Sequence, residues 1–217
     1  MTGYREQFDR DLEAIEAQVI ALLGMVVEDL DVATQALLGD RAGTPGVLAG
    51  REQLIDLLYV ETENLATRAI LLQAPVACDL RLLLTVVRSC RNWNDPTTSS
   101  STSPPGPPAS TPGTCRPGPP RWAGEMAGIA SAMWRQAADA WYARDQSAVT
   151  GTEKLRDELS ELHAALTSEV AAAQMTVRTS MEMALAARDY MRLGAHALNI
   201  ARRVAYLAGS ACRPPAA

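Results

Sequence analysis

Apolar residues recur along the first part of the chain at Phe8, Leu12, Ile15, Val19, Leu22, Val26, Leu30, Ala33 and Leu37. Steps of three and four place them in one stripe on a helix, with Glu6, Arg10, Asp11, Glu13 and Glu28 largely off it. The run from Gly39 to Gly46 supplies the glycines and the proline at which such a helix must stop. A second helix is expected from about Val47, with Leu54, Leu58, Leu65 and Ile70 toward the core. Pro75 should break or kink the path before a third helix begins near Ala77.

The pattern is then interrupted and resumes. Helices are expected from Gly124 to about Ala143 (Met126, Ile129, Met133, Ala137 and Trp141 inward), and from about Thr152 to Ala173 (Leu155, Leu159, Leu162, Leu166 and Val170 inward). A long one follows from about Thr176 to Ala208. Three helices, an interruption and three helices predict an all-α chain built as two three-helix bundles in tandem, each of antiparallel helices. A single irregular six-helix bundle is the alternative. The expected limits are 1–90 for a first bundle with a truncated third helix, 91–123 for an irregular Pro/Ser/Thr/Gly-rich segment, 124–211 for a second bundle and 212–217 for a disordered tail.

A length of 217 residues is enough to bury a substantial core. A formal net charge of −5 argues against nucleic-acid binding through bulk charge. Lys154 is the only lysine, so nearly all basic residues are arginine, the mark of GC-rich coding DNA. Cys78, Cys90, Cys115 and Cys212 have no zinc-type spacing, and no signal peptide precedes them; a cytoplasmic protein with reduced thiols is expected. The longest apolar run, near Leu80 to Val87, is short and broken by Arg81, so no direct membrane insertion is expected. With only His163 and His196, no Ser/His/Asp set and no phosphate-cradling glycine loop, no enzyme is expected.

The stretch Leu72 to Arg81, LQAPVACDLR, resembles the Q-x-P-x-A-x-D-L-R signature of the PhoU family of phosphate-signalling regulators. The start of the chain and the run HALNIARRV, from His196 to Val204, are similar to that family's opening and closing helices. The resemblance implies two antiparallel three-helix bundles, often a homodimer, without catalysis. It implies a regulator that couples a phosphate ABC transporter ATPase to a sensor histidine kinase and represses the phosphate-starvation response. Contact residues expected on that basis are Asp79 and Arg81, and Arg192, His196, Arg202 and Arg203 on the last helix; each arginine also suits a plain solvated helix face.

The family also carries two E-x-x-x-D motifs that bind divalent metal. Carboxylates at i and i+4 lie one turn apart on one helix face, so both can reach one hard cation. Here the second motif is lost: Met191 and Ala195 stand at its positions, and a thioether and a methyl cannot neutralise a divalent ion. Glu182 and His196 remain weak candidates, each more at home as an ordinary helix residue. No cofactor is expected.

The first motif should follow Ser89, where the chain reads RNWNDPTT. Take the third base of each codon with the first two of the next. Asn92–Trp93 becomes leucine, Trp93–Asn94 becomes glutamate, and Asn94–Asp95 becomes arginine or a stop. The next codons permit Ser or Pro, then His, Tyr, Asn or Asp, then Asp, so the shifted frame can read L-E-R-S-H-D. We therefore favour reading Arg91 to about Trp122 as an out-of-frame stretch, with the frame resuming near Gly124, over a true flexible linker; a Pro-rich SH3-type ligand is a remote third reading. Nine of the 13 prolines fall there, so as written the third helix cannot run far past Cys90 and the first bundle should be damaged. The alternatives to a phosphate regulator are a metal-binding bundle for iron or another divalent ion, and a degenerate, inactive family member.

Overall fold

The computed structural model describes residues 2–38, 44–93, 121–172 and 176–209. Among them are six α-helices and no strand: α1 Thr2–Leu38, α2 Thr44–Gln73, α3 Ala77–Trp93, α4 Arg121–Ala143, α5 Ala148–Ala172 and α6 Val177–Ala208. The all-α expectation holds.

The stripe on α1 is buried as its spacing predicts. Phe8, Leu12, Ile15, Val19, Leu22 and Leu30 are in the core and Val26 packs against it, while the side chains of Ala33 and Leu37 lie outside the described ones. On α4, Met126, Met133, Ala137 and Trp141 are buried. The start of α2 departs from expectation: Thr44, Pro45 and Gly46 already belong to the helix. Pro45 sits in the first turn, where a missing N–H costs nothing. Leu54 is a second correction. It is 55% exposed, whereas Leu58, Leu65 and Ile70 pack against the core as expected, beside the buried Tyr59, Thr62, Ala66 and Ala69. Leucine and valine occur all round α2, so periodicity alone does not fix the edge of its buried face.

Each of α4, α5 and α6 packs on the other two. In the first half α2 packs on both α1 and α3, and the halves join through α1 against α4 and α3 against α6. Both joins are antiparallel. Asp31 of α1 accepts from Ser131 and Arg135 of α4, while the earlier Glu16 pairs with Arg144 just beyond the end of α4. Arg81 of α3 stacks on Tyr206 of α6, and further along α3 the Arg88 carbonyl accepts from Arg203. The first bundle's third helix reaches Trp93, close to the expected stop. Of the stretch from Arg91 to Trp122 on which the linker and frameshift readings fall, residues 91–93 close α3 and residues 121–122 open α4, while residues 94–120 lie outside the described residues, as does the tail from 210.

Candidate protein-interaction surface

The family-like stretch forms the corner between α2 and α3. Pro75 fixes one φ there, and Ala74 and Ala77 on either side adopt φ of 42° and 50°. Left-handed backbone is costly for a residue with a Cβ, and such strain clusters at functional positions. The corner is also apolar and open: Leu71, Leu72 and Val76 are 77%, 66% and 74% exposed. Uncovered aliphatic side chains beside strained backbone suit protein contact.

Asp79 stands in the first turn of α3, where a carboxylate favours the helix N-terminus, and Arg5 of α1 lies 3.4 Å away. Arg81 is exposed, with its guanidinium 5.7 Å from the ring centroid of Tyr206. Arg203 is half-buried and donates to the Arg88 carbonyl. Burial, with Arg88 nearby, lowers its pKa below the usual guanidinium value. The structure thus brings Arg81 and Arg203 onto one α3–α6 seam, while Asp79 pairs with α1 through Arg5. Arg88 and Tyr206 complete the seam; sequence reasoning missed these and Arg5, since pairing across helices leaves no periodic signal.

The other expected contacts lie apart. Arg202 points to α5 and pairs with Glu153 at 2.8 Å. Arg192 is half-buried near Asp189, whose carboxyl burial pushes upward against the pull of Arg188 and Arg192. Of the family's metal positions, Met191 packs against the core and Ala195 is half-buried, so this helix face does not fit a hard cation. His196 is half-buried, and the Glu182 side chain lies outside the described ones. Among the described residues no three His, Cys, Asp or Glu side chains gather in a metal-ligating group. Cys90 is buried, and its thiol is pushed up to about 12 by burial and then by Glu63, which leaves it inert as a nucleophile. No described helix is long and apolar enough to cross a membrane.

Comparisons with known proteins match this fold. The PhoU domain sequence model fits residues 123–204. A phosphate-specific transport system accessory protein PhoU homologue of Synechocystis is 30% identical, with the match covering 94% of this chain and 92% of that protein. A homologue of the same description from Deinococcus radiodurans is 34% identical over 85 residues, 39% of this chain and 40% of its own. Crystal structures of PhoU from Streptococcus pneumoniae and Pseudomonas aeruginosa superpose with TM-score 0.77 each, at 16% and 19% identity. They cover 92% of this chain in each case, and 96% and 98% of their own. The near full-length relative places the chain in one family: it belongs to the PhoU family.

Proposed function

We propose that this chain is a regulatory accessory protein of phosphate transport that acts by protein contact, without catalysis, in the cytoplasm. The observation that carries this reading is the near full-length likeness to the Synechocystis accessory protein. The open apolar corner at Leu71, Leu72 and Val76, flanked by Arg81, supports contact as the mode of action. Its partners are the ATPase of a phosphate ABC transporter and a sensor histidine kinase, between which it is an adaptor that represses the starvation response. A homodimer fits too, because Leu54 and Leu57 leave apolar area uncovered on the outer side of α2; sedimentation of the purified chain tests this.

The test is genetic. A strain lacking the gene is grown in high phosphate and a phosphate-starvation reporter is read. The intact chain is expected to restore repression, and a Val76→Asp, Arg81→Glu double variant, folded by circular dichroism, to restore much less. A reporter that stays low without the gene contradicts a repressing role.

A further inference from the structure

We propose that the outer α3–α6 seam is the docking site for an acidic amphipathic helix of a partner protein, its carboxylates on Arg81 and Arg88 and its aliphatic side chains on Val76 and Leu84. The proposal rests on the reading of the chain as one that acts by protein contact, and adds the chemistry of the partner.

The arginines of this seam end differently from those that cross between helices elsewhere. Arg5 meets Asp79, Arg51 meets Glu28 and Asp29, Arg135 meets Asp31, Arg144 meets Glu16 and Arg202 meets Glu153. On the seam, Arg81 lies over the Tyr206 ring instead, and Arg203 donates to the Arg88 carbonyl. Among the described residues no carboxylate pairs with Arg81 or Arg88. Of the acids on α2 and α3, Asp79 is turned to Arg5 and Glu63 accepts from the Tyr59 hydroxyl. Burial and then the like charge of Arg88 hold the Arg203 pKa down, and a carboxylate laid on the seam would relieve that repulsion.

Spacing selects the form of the occupant. Arg81 and Arg88 are both exposed and stand seven residues apart on one face of α3, which is two turns or about 10.5 Å. Glutamates seven residues apart on a second helix have the same separation, so a helix lying along the groove between α3 and α6 meets both guanidiniums at once. An extended segment repeats its facing residues at about 6.8 or 13.6 Å and misses that interval. Leu84 lies between the two arginines on the same face at 37% exposure, and Val76 at the corner and Tyr206 across on α6 are 74% and 58% exposed. Aliphatic surface flanked by cations matches an apolar stripe flanked by acids. The net charge of the whole chain is −5, so its overall field opposes an acidic partner and the attraction has to be local.

The test uses the purified 217-residue chain and labelled peptides of about five helical turns, read by fluorescence anisotropy. One peptide carries a leucine stripe flanked by glutamates seven residues apart; a second has lysine in place of those glutamates; a third is the first with two central prolines. The glutamate peptide is expected to bind at least about tenfold tighter than either of the others, and to weaken as salt is raised. Arg81→Glu with Arg88→Glu should weaken it at least about tenfold, and Arg81→Gln with Arg88→Gln by a smaller factor; the glutamine pair carries the test if circular dichroism shows the reversal unfolded. Arg68→Glu with Lys154→Glu changes the net charge as much as the seam reversal does, but on α2 and α5, and should leave binding unchanged. The proposal is overturned if the glutamate peptide does not bind, if the lysine or proline peptide binds as tightly, or if the seam variants have no more effect than the Arg68 and Lys154 pair. The peptides are read without the reporter, so a chain that binds the glutamate peptide yet fails to repress would support the docking site and contradict the regulatory reading alone.

Discussion

The two halves of the molecule are built from the same parts and hold together differently. In the second half α4, α5 and α6 each touch the other two, and Gly194 marks where they meet. A Cβ there would stand 2.7 Å from Leu159 Cδ2 of α5 and 3.1 Å from Met133 Sδ of α4. Trp134 and Trp141 are wholly buried, and the Trp134 indole N–H donates to the Leu193 carbonyl at 3.1 Å. In the first half α2 lies between two helices, of which α3 is described over only 17 residues, the outer leucines of α2 face solvent, and Asp29, Thr62, Thr85 and Ser89 bring polar atoms into the interior. A three-helix bundle needs every helix to be long enough to shield the other two. Over the described residues the first half leans on α4 and α6.

The largest effect should come from the closed half. Trp134→Ala is expected to cost about 4 kcal/mol in urea unfolding, whereas Leu57→Ala on the open face of α2 should stay within about 0.5 kcal/mol. Next comes the tie between halves. Glu16 and Arg144 pair at 15% and 13% side-chain exposure, with Arg144 also 5.3 Å from the Trp141 ring centroid. Glu16→Ala strands a mostly buried guanidinium and should cost about 3 kcal/mol. Gly194→Val, which overfills the meeting point of α4, α5 and α6, is expected to cost about 2 kcal/mol by the same assay.

Two smaller tests sharpen the picture of the first half. Ala74→Gly should relieve left-handed strain and raise stability by about 1 kcal/mol; if the strained corner is the contact surface, reporter repression should fall at the same time. Asp29 is buried with Arg51 against it, and burial raises its carboxyl pKa despite the arginine. A raised folded pKa means that the stability this group contributes is present below the ordinary carboxylate value and lost as pH rises through the folded one. Asp29→Asn should therefore improve relative to the parent chain as pH goes from 4 to 7, read from urea midpoints at each pH.

Much of the fold was legible because most helices bury a narrow stripe. Phe8 to Leu30 and Met126 to Trp141 could be read by spacing alone. α2 could be read only in part: Leu58, Leu65 and Ile70 face inward as expected, but Leu54, Leu57 and Leu71 complete a circle of apolar residues, so nothing local excluded Leu54. Of the proposed interaction surface, the Pro75 corner, Asp79, Arg81 and Arg203 were visible as family-like residues. Their mates Arg5, Arg88 and Tyr206, and the ties Glu16–Arg144 and Asp31–Arg135, depend on how helices register across the two halves, a tertiary property with no sequence period.

The contrast between a closed half and an open half is tested most directly by native-state hydrogen exchange on the intact 217-residue chain. Amides of residues 126–141 and 193–207 should exchange slowest and as one unit, and those of 54–73 at least about tenfold faster. Equal protection of the two halves, or slower exchange in α2 than in α4, would contradict the account.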